Sequence, residues 1–308
     1  MLKIKAVHPE WVTLIASAFL LTACNFVLWQ HLLDITAADG KGIVLRVAFG
    51  AMILAAFNIV LTLLAFRPVL KPLLTLLFMI SAGVAYFMGQ YGVLIDIGML
   101  RNFAQTNATE VRDLLSLKLL AYIVFLGVLP SWLLWRTPVN YRRWHRELLS
   151  KVLVTFASAA VIGGVALVNY QGLSSLFRNH HELRLMVVPS NYIGASAGYL
   201  HEQVASARQP FVKVGEDARR DSAWQTHARK SLTVLVVGES ARAENFGILG
   251  YNRDTTPMLG KEAGLIAFTD VKSCGTETAV SVPCMFSNMG RKDYNASKAR
   301  NEEGLLDV

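Results

Sequence analysis

Over the first 170 residues, apolar side chains run in long blocks separated by short polar turns, and five blocks reach membrane-crossing length: 11–33, 43–66, 70–88, 117–135 and 152–168. A hydrocarbon core about 30 Å thick takes roughly 20 residues of apolar helix, so each block predicts one transmembrane helix. Polar interruptions are few: Asn25, Gln30 and His31 in the first block, Arg46 and Asn58 in the second, Lys71 and Lys118 near the ends of the third and fourth. Such residues snorkel or face neighbouring helices. The first block exceeds the apolar core of a secretory signal, about 7–15 residues, and reads as an uncleaved anchor. From Gln171 to Lys230 the chain turns polar and mixed, which predicts an irregular linker lying along the membrane surface. Residues 232–237 then form an unbroken, largely β-branched apolar run closed by Gly238, the signature of a buried parallel strand. The expected organisation is a five-helix transmembrane domain (1–170), an external linker or interfacial segment (171–230) and the start of an α/β domain (231–308).

Composition agrees with that division. Hydrophobic residues make up 53% and charged residues 17% of the chain, well below the roughly 25% charge of an ordinary soluble domain. A soluble globular chain and a disordered one are both excluded. The formal charge of +8 would suggest nucleic acid in a soluble protein, but here its placement decides. One set of loops carries Lys3, Lys5, Arg67, Lys71, Arg136, Arg142, Arg143, Arg146 and Lys151, and the opposite set only Lys41, Arg101 and Arg112, with Arg46 and Lys118 at helix ends. The basic side is cytoplasmic. The amino terminus therefore lies inside, and with five spans everything after the last lies outside, which in a Gram-negative bacterium is the periplasm. No nucleic-acid partner is expected.

Three segments carry chemistry. In Val236-Val237-Gly238-Glu239-Ser240-Ala241-Arg242-Ala243-Glu244-Asn245 a carboxylate follows the predicted strand and a glycine turn. It would sit at the carboxyl edge of a sheet, where open α/β folds place ligands. Glu239 there suits a metal ion or a helix cap. In Ser273-Cys274-Gly275-Thr276-Glu277-Thr278-Ala279-Val280-Ser281-Val282-Pro283-Cys284, Thr278 lies between two of the three cysteines. Its hydroxyl is a poor nucleophile unless a base or metal activates it. In 101–110, Asn102, Thr106 and Glu110 recur every fourth residue and line one helical face in the external loop between spans three and four.

Together, and in this order behind five spans, these segments resemble the lipid A phosphoethanolamine transferase family, which includes the mobile colistin-resistance enzymes. Residues 237–246, Val-Gly-Glu-Ser-Ala-Arg-Ala-Glu-Asn-Phe, and 273–287, Ser-Cys-Gly-Thr-Glu-Thr-Ala-Val-Ser-Val-Pro-Cys-Met-Phe-Ser, match its signatures almost residue for residue. The resemblance implies an alkaline-phosphatase or sulfatase-like α/β fold for the external part. It implies zinc held by Glu239 and Thr278, with Thr278 the nucleophile that takes up phosphoethanolamine. It further implies a Cys274–Cys284 disulfide, and Asn102, Thr106 and Glu110 around the ethanolamine head group. The donor would be phosphatidylethanolamine and the acceptor a lipid A phosphate, the outcome polymyxin resistance, and the enzyme a monomer in the bacterial inner membrane. A phosphoglycerol transferase or sulfatase-like enzyme is the alternative within the superfamily, and an inert membrane fragment the alternative outside it.

The sequence also departs from that family. A catalytic zinc usually takes three protein ligands and an open position, and the family's Asp-His pair and further histidines have no counterpart here. His180, His181 and His201 fall in the predicted linker, and His227 precedes the predicted strand. The chain thus reads as a member ending inside its catalytic domain, expected to bind zinc weakly or not at all and to transfer no phosphoethanolamine alone.

Overall fold

The computed structural model describes residues 6–105, 112, 114–219, 232–238, 241–276 and 278–307. It divides into two compact units, Met1–Tyr199 and Leu200–Val308.

The first unit is helical. Helix α1 (Pro9–Ala23) opens with proline in its first turn, where no intrahelical N–H is needed, and is followed by α2 (Phe26–Ile35). The two were expected as one continuous span; they meet at 60°. The break falls at Asn25, whose buried amide donates to the Leu20 carbonyl at 2.8 Å and so competes with the helical ladder. Helix α3 (Gly40–Leu63) begins where the Asp39 carboxylate accepts from Gly42 N–H at 2.8 Å. Helix α4 (Leu70–Tyr91) ends at Gly92, whose φ of 65° is the left-handed stop that glycine supplies. Next come α5 (Ile97–Gln105), α6 (Leu117–Arg136) and α7 (Trp144–Val168). Within α6, residues Ile123–Val128 widen into a π-turn, which accommodates Pro130: its ring and missing N–H disrupt the regular bond to the Leu126 carbonyl. A Cβ at Gly127 would stand 2.8 Å from Met79 Sδ, so glycine lets α6 approach α4 closely.

Helices α3, α4, α6 and α7 are long and apolar enough to cross a membrane, and the bent pair α1–α2 makes a fifth crossing if taken as one span. Polar pairs join these helices inside the apolar bundle. Thr13 and Thr62 hydroxyls lie 3.2 Å apart, and Asn58 Nδ2 donates to Ser158 Oγ at 3.2 Å, contacts of the kind that hold membrane helices together. Phe156, Leu167 and Val168 on α7 stay exposed, as a lipid-facing surface requires. At one end of the bundle Val7 pairs in parallel with Val139, Lys71 Nζ donates to the Thr137 carbonyl at 2.9 Å, and Arg142 pairs with Glu10.

The segment after Val168 is not the irregular linker expected from its polarity. Helices α8 (Tyr170–Asn179), α9 (Leu183–Met186) and α10 (Ser190–Ala207) occupy most of it. Leu173, Leu176 and Leu183 are buried against Leu28, Leu32 and Phe49 of α2 and α3. Spaced leucines among polar neighbours form one apolar stripe, and a whole-segment average hides it.

The second unit has short 3₁₀ turns at Ala243–Asn245, Gly247–Leu249 and Leu259–Lys261, and two helices, α11 (Thr278–Phe286) and α12 (Ala296–Ala299). Its last residues return onto 206–214: Val212 N–H donates to the Asn301 carbonyl at 2.7 Å and Glu303 N–H to the Val212 carbonyl at 3.0 Å. The strand expected at 232–237 does not form. Those residues lie outside any strand and are exposed, Leu232 by 88% and Val236 by 84%. A buried parallel strand needs neighbours on its edges and cover on its faces, and among the described residues the only β pairings are two isolated bridges.

Candidate functional site

In the second unit the geometry centres on the segment leading into α11. Ser273 Oγ donates to the Gly275 carbonyl at 2.6 Å, which curls the chain before the helix. Gly275 packs against the first turn of α11: a Cβ there would fall 2.9 Å from Val280 Cγ1. Cys274 and Cys284 are joined in a disulfide with Cα atoms 6.3 Å apart, inside the usual span for such a bridge. Cys284 and Ala279 form the buried side of α11. The helix's far end is held as well, since Leu305 N–H donates to the Phe286 carbonyl at 2.7 Å.

Thr278 is the first residue of α11 and is exposed. The first turn of an α-helix presents backbone N–H groups that no carbonyl of the helix accepts, and its dipole favours negative charge. A phosphate group approaching the hydroxyl would meet donors already oriented.

Glu239 lies outside the described residues, and so do Thr106 and Glu110. The chain after Glu239 is well tied: Gly247 N–H donates to Thr255 Oγ1 at 3.0 Å and Ile248 N–H to Thr256 Oγ1 at 3.1 Å. Asn102 is half-buried on α5 in the first unit. Around Thr278 the described residues gather no set of three metal-capable side chains.

Such a set does occur in the first unit. His31 Nε2 and His180 Nδ1 approach the same Glu182 oxygen, Oε1, at 3.2 and 3.0 Å. The two imidazoles stand edge to face with centroids 6.3 Å apart. Glu182's own backbone N–H, then the His180 and His31 side chains, hold its carboxyl down at about 2. Sequence reasoning passed over this group. The available signal was positional: His31 lies near the end of the first apolar block, and the His180-His181-Glu182 run follows the fifth.

Comparisons with known proteins divide the chain much as its composition does. Residues 53–204 match the family model described as phosphoethanolamine transferase EptA/EptB, and residues 231–308 match the sulfatase model. Phosphoethanolamine transferase EptA of Escherichia coli (strain K12) is 38% identical over 304 residues, 96% of this chain and 54% of that protein. Phosphatidylethanolamine transferase Mcr-1 of Escherichia coli is 37% identical over 312 residues, 99% of this chain and 56% of that protein. Among solved structures, the integral membrane protein lipooligosaccharide phosphoethanolamine transferase A (EptA) from Neisseria meningitidis superposes with a TM-score of 0.87 at 31% identity, covering 98% of this chain and 56% of that one. The chain spans about half the length of the curated relatives it matches.

Proposed function

We propose that this chain, which matches phosphoethanolamine transferases over nearly its whole length, contributes the membrane unit and the nucleophile-bearing segment of an enzyme moving phosphoethanolamine from phosphatidylethanolamine to a lipid A phosphate. The single observation that carries the reading is Thr278: exposed, first in a helix, and tethered by the Cys274–Cys284 bridge, within a region that matches the sulfatase model.

In this reading the Thr278 oxygen attacks the donor's phosphorus, the bond to the diacylglycerol oxygen breaks, and the hydroxyl proton leaves with diacylglycerol. A lipid A phosphate oxygen then attacks the same phosphorus, and the Thr278–phosphorus bond breaks as Thr278 regains a proton. One nucleophile serves two lipids in turn, so they need never be bound together. The backbone donors of the first turn of α11 would face the charge that builds on the phosphoryl oxygens. Glu239 and the Thr278 hydroxyl are the residues proposed to hold zinc, which when bound would lower the hydroxyl's pKa and favour the attacking alkoxide. Asn102, Thr106 and Glu110 are proposed to hold the ethanolamine, a carboxylate suiting its ammonium. The reaction would take place in the periplasm, by a monomer, and the added ammonium would offset lipid A's negative charge and weaken the binding of cationic polymyxins.

Two zinc donors are fewer than the three a catalytic site usually takes. The 308 residues alone are therefore proposed to leave lipid A unmodified. The test is expression in a susceptible Gram-negative host, alone and joined in frame to the remaining half of the Escherichia coli relative, followed by mass spectrometry of lipid A. The joined form should add a phosphoethanolamine increment that vanishes with Thr278→Ala; an increment that survives the substitution would refute the reading.

A further inference from the structure

In the first unit, we propose that His31, His180 and Glu182 form a binding site for one divalent transition-metal ion, separate from the phosphotransfer chemistry. Their candidate donor atoms all lie within 4.8 Å of one another, and two of the three separations are already 3.2 and 3.0 Å. Donors placed about 2.0–2.2 Å from a tetrahedral ion stand about 3.3–3.6 Å apart, so closing the set takes small side-chain rotations. Two imidazole nitrogens and one carboxylate oxygen suit zinc or copper, whereas magnesium and calcium take oxygen ligands.

The backbone that carries the donors is fixed before any ion arrives. His31 precedes Leu32 and Glu182 precedes Leu183, both fully buried in one apolar cluster with Leu28 and Leu176. His180 N–H donates to the Leu176 carbonyl at 2.9 Å and so ends α8 at a set place. Ligands mounted on packed elements lose little freedom when they bind. His180 also lines an open groove of about 1070 Å³ whose wall includes Lys41, Asn169 and Tyr170. That groove is the ion's entry path, and it leaves the fourth coordination position to water. Three protein ligands with one open position is an arrangement zinc commonly adopts. The ion would fasten α2 to the α8–α9 turn, 149 residues further along the chain.

The competing arrangement is metal-free, with Glu182 simply accepting a hydrogen bond from each imidazole, and cobalt distinguishes the two. The full chain carrying Glu239→Gln and Thr278→Ala, so that the proposed zinc centre contributes nothing, is titrated in detergent with cobalt(II) chloride and followed by visible absorption. One equivalent should bind, with the intense bands of a tetrahedral ion. In that background, His180→Ala and Glu182→Gln should each weaken binding by more than about tenfold while circular dichroism keeps the helix content of the parent. His31→Ala should do the same, and if it fails to fold the two turn variants carry the test. A parent that binds no cobalt, or turn variants that bind within about tenfold of it, would overturn the site.

Discussion

Asn25 and Val188, 163 residues apart, are joined by a pair of hydrogen bonds: Asn25 Nδ2 donates to the Val188 carbonyl at 2.7 Å, and Val188 N–H donates to Asn25 Oδ1 at 2.8 Å. Both residues are about 1% exposed, so neither bond has water as a substitute. The side chain that breaks the first span therefore also anchors the segment after α9. Replacing Asn25 by Leu strands a buried N–H and a buried carbonyl, at a cost of about 2–5 kcal/mol. Thermal unfolding in detergent should show the loss; an unchanged midpoint would mean that the pair is not holding the unit together.

Topology gives an independent expectation. The loops bearing Arg67, Lys71, Arg136, Arg142 and Arg143 should face the cytoplasm. A reporter fused after Arg143 should behave as cytoplasmic and one fused after Arg220 as periplasmic, and the reverse pattern would remove Thr278 from the compartment where lipid A lies.

Cysteine chemistry should follow burial and compartment. Unreduced protein treated with an alkylating reagent under denaturing conditions should yield Cys274 and Cys284 linked and Cys24 alkylated, because Cys24 is a buried free thiol in the apolar core. Without denaturant Cys24 should resist the reagent too. Recovering both Cys274 and Cys284 alkylated would contradict the bridge.

Gly275 offers a finer probe of the same loop. A methyl group there meets Val280 Cγ1 at 2.9 Å, closer than unstrained packing allows, and Gly275→Ala should displace the loop at a cost of about 1–3 kcal/mol. The expected reading is faster reduction of the Cys274–Cys284 bond by dithiothreitol than in the parent. An unchanged rate would show that the loop yields without strain.

Much of this architecture was legible in the chain itself. The apolar blocks are long and their ends carry local signals, Asp39 capping α3 and Gly92 closing α4, so four spans follow from pattern alone. The 60° bend was not legible, because Asn25 has its reason in Val188, far along the chain. Helix α8 was hidden because Leu173 and Leu176 are a thin stripe in a polar segment. The apolar run at 232–237 misled for the opposite reason: β-branching fits a strand, but a strand exists only with partners. Thr278 and the two cysteines stood out through a compact motif, whereas His31 and Glu182 share no motif and meet only in the fold.

In the proposed reaction Thr278 carries the phosphoethanolamine, and this is read most directly from the mass of the peptide containing residues 273–287, taken from the joined protein while it is modifying lipid A. A phosphoethanolamine adduct localised to Thr278 by fragmentation, and absent with Thr278→Ala, is the predicted result. An adduct on Thr276 or Ser281, with Thr278 unmodified, would contradict it.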